Sequence, residues 1–213
     1  MSEGQVVALL LWLVLLAFSL NASLLRTLHA NPLYQHLCLG SAIVLVPLWT
    51  LRAGLHEGLE IHFLGLTSLT LLLGWRLALL APCLTLLILA AFDVTELADI
   101  GWQALIGVAL PVATSWLLFL ASWAWLPRHL FVYLFVAAFL GGALSISVKV
   151  IASALLMGMS GTYPWHTIGA DYLSIWPLLL FPEALLNGMT MTLLAVYRPH
   201  WVNTFFDREY LGR

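Results

Sequence analysis

The chain has 213 residues, of which 62% are hydrophobic and only 8% charged, and its formal net charge is −2. This excludes a soluble globular core and, with eight Lys and Arg in all and no basic tract, a nucleic-acid-binding surface. It fits a single integral membrane domain over residues 1–213, with several apolar stretches near the roughly 20 residues needed to cross a bilayer.

The first apolar stretch, 6–25, follows a leader that carries Glu3 and no Lys or Arg. A signal peptide would carry a basic n-region, so the stretch reads as a retained helix with its N-terminus outside. Apolar runs place helices near 5–26, 38–53, 60–74, 77–95, 102–126, 129–157 and 174–197, an all-α bundle of about seven transmembrane helices. The third is short for a bilayer, which requires tilt, a re-entrant course or burial by neighbours. Pro47, Pro82 and Pro111 fall inside spans, where each kinks or breaks a helix. Cys38 and Cys83 lack CxxC spacing and read as small core residues. Segment 158–173 is the longest connection, a lid or a surface connector. The tail from Trp201 mixes aromatics and charge, as an interfacial anchor or a docking surface does.

Along this path six of the eight basic residues fall on one side: Arg26, Arg76, Arg128, Arg198, Arg208 and Arg213. Seven of the ten acids fall on the other: Glu3, Glu57, Glu60, Asp93, Glu96, Asp99 and Asp171. The positive-inside rule makes the basic side, with the C-terminus, cytoplasmic. The acidic side then faces out and also holds histidines.

Ionisable groups within spans are costly and mark an interior, a cavity or a partner. Glu183 and Lys149 are such groups. At 1.5 Å rise per residue, His62, Glu183, Asp93 and Lys149 all lie about 20–30 Å above the inner basic edge, in one outer layer. Two readings of Glu183 stand open, an ion pair with Lys149 and a carboxylate of a substrate pocket. His56-Glu57-Gly58-Leu59-Glu60-Ile61-His62 is the densest set of potential ligands, and imidazole suits Ni, Co, Cu and Zn. It is not HExxH, because the two histidines are six apart. His62 is the leading metal ligand, while His56, Glu57 and Glu60 either contact the ion or attract cations at the mouth. Asp93, Glu96 and Asp99 form a second acidic patch, read either as solvated loop acids or as further ligands.

His62-Phe63-Leu64-Gly65 with Leu72-Leu73-Gly74-Trp75, then Ala91-Phe92-Asp93, Ile100-Gly101-Trp102-Gln103 and Pro182-Glu183-Ala184, resemble stretches of the CbiM/NikM family. These are the substrate-specific membrane components of energy-coupling-factor ABC transporters for cobalt and nickel. The resemblance implies an outward metal pocket in a bundle of about seven helices. By motif it carries over only His62 as a metal ligand; from the residues themselves His56, Asp93 and Glu183 are the further candidate metal ligands, and Glu57, Glu60 and Gln103 the candidate substrate-binding groups. It also implies a coupling protein and an ATPase pair as partners, in a bacterial inner membrane. The family's N-terminal Met-His is replaced here by Met1-Ser2-Glu3-Gly4, and Gln103 stands where the family has Asn, as in a divergent branch.

The expected function is capture of a transition-metal ion by a permease subunit with no intrinsic cofactor. The chain has no GxxxxGK[ST] phosphate loop, so ATP hydrolysis falls to a separate subunit. It has no GxSxG elbow, which argues against an enzyme. The alternative is a non-transporting accessory membrane protein, such as a metalloprotein assembly factor.

Overall fold

The computed structural model describes residues 2–52, 54 and 60–210. Helices α1 (Glu3–Ser19), α2 (Ala22–Ala30) and α3 (Pro32–Thr50) come first, followed by α4 (Leu66–Leu73) and α5 (Trp75–Ala91). Two long continuous helices follow, α6 (Leu97–Trp125) and α7 (Leu130–Met159). Then come α8 (Trp165–Thr167 continuing as Ile168–Leu173), α9 (Trp176–Tyr197) and, in the tail, α10 (Asp207–Tyr210). Helices α3, α6, α7 and α9 are each long and apolar enough to cross a membrane. The pair α1–α2, bent by 71° at its break, makes a fifth candidate when taken as one span. The protein is thus an all-α, multi-pass membrane protein. The expectation of about seven crossings counted α4 and α5, whose 8 and 17 residues are fewer than length alone would assign to a span.

Local chemistry explains where the helices break. Ser2 caps α1 in a reciprocal box with Gln5. The Asn21 side chain accepts from the Leu24 amide at 2.8 Å, and Asn31 caps α3 with Pro32 in the first turn. α3 therefore begins six residues before the expected 38. Helices run on through Pro47, Pro82 and Pro182, whereas Pro111 stands where a π-helical stretch of α6, Gln103–Ala109, returns to α-helix. The connection after α7 is partly helical and packs on the bundle. Ile168 and Tyr172 of α8 are fully buried, and a Cβ on Gly158 would lie 2.5 Å from the Trp165 ring.

Burial in this bundle is the inverse of a soluble protein's. α1 turns Val6, Val7, Leu10, Leu11 and Val14 outward and buries only Ala8, Trp12 and Ser19. α4 is the opposite, with seven of its eight residues buried. It lies among α5, α6, α7 and α9 and is preceded by non-helical residues 60–65, so the expected helix over 60–74 begins only at Leu66. Irregular backbone at membrane depth persists only where protein satisfies its polar groups.

At the start of α4 the Glu183 carboxyl accepts from two successive amides, Leu64 N–H and Gly65 N–H, each at 2.9 Å. Asn187, one turn on in α9, accepts from Ser68 N–H at 2.8 Å and donates to Glu183 Oε1 at 2.8 Å. Gly65 has φ +65°, a left-handed conformation that favours glycine. A Cβ there would also press on Leu48 at 3.2 Å. At the far end, Asn203 N–H donates to the Leu72 carbonyl at 2.9 Å and the Thr204 hydroxyl to that of Leu71 at 2.8 Å. Thr204 also meets the Tyr133 hydroxyl at 2.8 Å, and Arg128 pairs with Glu209 at 2.7 Å, so the tail and the basic turn share one end of the bundle.

Replacing Glu183 by Ala strands two buried amides, at about 1–3 kcal/mol for each unsatisfied group. Glu183→Ala is expected to lower the unfolding midpoint in detergent well below that of Glu183→Gln, which keeps one acceptor oxygen. A second position tests the packing of α1. The Gly101 Cα lies so close to α1 that a Cβ would sit 2.5 Å from the Leu9 amide nitrogen. Gly101→Ala should destabilise by about 1–3 kcal/mol, read by the same thermal scan.

Candidate functional site: a polar cavity above the central helix

A cavity of about 310 Å³ opens at the end opposite the tail. It lies among the α3 end, segment 60–65, the α5–α6 turn, the π-helical stretch of α6 and the C-terminal half of α7. Glu60, His62, Asp93, Glu96, Asp99, Gln103 and Lys149 all line it, with Arg52. Acidic residues from separate loops and the imidazole thus share one site. His56 and Glu57 lie outside the described residues.

His62 is held by its neighbours in sequence. Its Nδ1 lies 3.0 Å from the Phe63 carbonyl oxygen, and only a protonated ring nitrogen can donate there. In the neutral ring this leaves the Nε2 lone pair for another partner, the arrangement found in metal-ligating histidines. Trp49 faces the ring at a centroid distance of 5.6 Å, and its indole donates to the Leu64 carbonyl at 3.1 Å. The His-x-x-Gly spacing now has a mechanical meaning. The glycine makes the turn that presents two amides to Glu183, and His62 hangs from the anchored segment.

Glu183 does not line the cavity. It is fully buried, with both oxygens taken by the 64–65 amides and Asn187. The Lys149–Glu183 ion pair entertained from the sequence does not form. Lys149 instead donates to the Glu60 carbonyl at 2.9 Å, closing the other side of the same segment. Glu60 pairs with Arg52 at 2.7 Å, and Arg52 also donates to Thr95 Oγ1 at 2.8 Å and to the Trp49 carbonyl at 2.7 Å. Thr95 in turn lies 3.4 Å from Gln103 Oε1. Asp93 is exposed at φ +54°, a left-handed residue that ends α5. Asp99 accepts from Gln5 at 2.8 Å and so ties α1 to the rim. Among the described residues no three His, Cys, Asp or Glu side chains stand together as a ready metal-binding group.

Arg52 is not among the candidates that the sequence motifs single out, although the sequence carries a signal for it. It and Lys149 are the two cations that do not fall on the basic side of the chain, and both line the cavity. Ser153 and Trp49, also in the lining, carry no pattern that a sequence displays.

No curated protein and no solved structure matches the chain. A protein-family profile does match, that of CbiM, described as the cobalt uptake substrate-specific transmembrane region, over residues 3–201. That match takes in every helix that frames the cavity, and the protein belongs to the CbiM family of cobalt-uptake transporter components.

Proposed function

We propose that the protein is the substrate-capture subunit of an importer for a transition-metal ion of the cobalt–nickel class, energised by a separate ATPase through a membrane coupling protein. The observation that carries this reading is the placement of His62, a half-buried imidazole with its Nδ1 engaged, in a cavity lined by acids from other segments of the chain. Exposed Asp93 and Glu96 raise the local concentration of cations at the mouth. His62 then exchanges one water of the ion for Nε2. Asp93, Glu60 and Gln103 are the described groups from which further ligands or hydrogen bonds to the ion's remaining waters are drawn. Glu183 acts as a positioning residue, because the amides it holds belong to the segment that carries His62.

The proposed orientation follows the charges. The end bearing Arg76, Arg128, Arg198 and the tail is cytoplasmic, and the cavity faces outward across a bacterial inner membrane. In this arrangement segment 60–65 with α4 makes one broken crossing. Together with α1, α3, α5, α6, α7 and α9 it brings the total to seven, with the N-terminus outside.

Replacing His62 by Ala should weaken Co²⁺ binding at least tenfold, about 1.4 kcal/mol, in calorimetric titration of the detergent-purified protein. An unchanged affinity would remove His62 from the site. The orientation is tested in intact cells with single cysteines, after Cys38 and Cys83 have been changed to Ala. Glu96→Cys should react with a membrane-impermeant maleimide, and Arg128→Cys only after permeabilisation. The reverse labelling pattern refutes an outward cavity.

A further inference from the structure

The charge in the cavity changes sign with depth. At the rim Asp93 and Glu96 are exposed and Asp99 half-buried. Deeper, the described charged groups are Arg52, Lys149 and Glu60, two cations and one anion around His62. Glu60 is committed to Arg52 at 2.7 Å. Lys149 is only 8% exposed, and among the described residues its hydrogen bond goes to an uncharged acceptor, the Glu60 carbonyl. An ammonium has three donors, so the described residues leave two to serve the cavity. A buried ammonium beside the imidazole opposes a bare dication, and the nearby Glu60 carboxylate is already paired with Arg52. The cavity volume, about 310 Å³, is also at the lower bound of small-molecule pockets and well beyond the roughly 30 Å³ of one water.

We infer that the cavity takes its metal as a complex with a small polycarboxylate, Lys149 binding a carboxylate of the chelator while His62 binds the metal. This rests on the metal-capture reading and specifies its substrate. The acidic rim and the basic floor then have separate tasks. The rim concentrates cations, and the floor accepts only those that bring anionic ligands with them. The donor atoms that the described side chains do not supply as a cluster come from the chelator. Arg52 keeps its bonds to Glu60, Thr95 and Trp49 and leaves Lys149 as the free cationic contact.

The test is calorimetric titration of the full chain in detergent with three probes: Co²⁺ in a non-coordinating buffer, citrate alone, and the one-to-one Co²⁺–citrate complex. The complex should bind at least tenfold more tightly than either component. Lys149→Gln should lower its affinity at least tenfold and by a clearly larger factor than it lowers that for bare Co²⁺, and Lys149→Arg should restore most of the loss. If Lys149→Gln does not fold, the wild-type comparison of the three probes decides alone. Bare Co²⁺ binding as tightly as the complex, with citrate stripping it away, overturns the inference. A bare-Co²⁺ affinity that still depends on His62 would in that case leave metal capture standing. Citrate alone binding as well as the complex, with His62→Ala without effect, overturns both.

Discussion

The structure depends on one requirement, that the backbone around a short central helix be satisfied without water. α4 and the residues before it lie within a bundle whose outer face is apolar, so each free amide and carbonyl needs a protein partner. α9 supplies Glu183 and Asn187 to the amides, α3 supplies the Trp49 indole, α7 supplies Lys149, and the tail supplies Asn203 and Thr204 to the last carbonyls. The polar residues inside this membrane protein are mostly explained by that need. A further cluster of hydroxyls, Thr67 with Ser115 at 2.7 Å and Ser145 at 3.1 Å, joins α4 to α6 and α7 by the same principle.

The site is a by-product of this anchoring. Segment 60–65 cannot be helical and also deliver two consecutive amides to one carboxyl, so it stays non-helical and leaves room above α4. The space is bounded by the π-helical stretch of α6, whose Gln103, Ile106 and Gly107 line it. Of the three π-helical stretches among the described residues, Gln103–Ala109, Tyr133–Leu140 and Ile168–Leu173, only this one lines the cavity. Gly142 shows how tightly the support is built. A Cβ there would lie 2.9 Å from Asn187 Nδ2 and 3.0 Å from the Glu183 carbonyl oxygen, so α7 and α9 touch just where α9 holds the amides.

Much of this is legible in the amino-acid sequence, and the boundary is physical. Apolar length reveals α6, α7 and α9, and the alternation of Arg76, Arg128 and Arg198 with Asp93, Glu96 and Asp99 orders their ends. His-x-x-Gly singles out His62 and depth counted along helices puts Asp93 and Lys149 in its layer, and all three line the cavity. The same arithmetic put Glu183 there too, because rise per residue gives height but not the direction in which a side chain points. What Glu183 does is set by amides 118 and 119 residues away, and backbone donors have no letter in the sequence. The short α4 was read as a longer helix for a related reason. Apolar residues at 61, 63 and 64 look the same whether their amides bond within a helix or to a distant carboxyl.

The anchoring of α4 also sets an order of assembly. Its partners Glu183, Asn187, Asn203 and Thr204 leave the ribosome more than a hundred residues after it does. Until they arrive the segment has open amides and carbonyls and nothing in lipid to bond them, so it must wait near water or beside the insertion machinery. Contacts this distant in sequence form late. The cavity is therefore finished only after residues 183–204 have been made, and a product cut short before α9 would carry the earlier helices without the pocket.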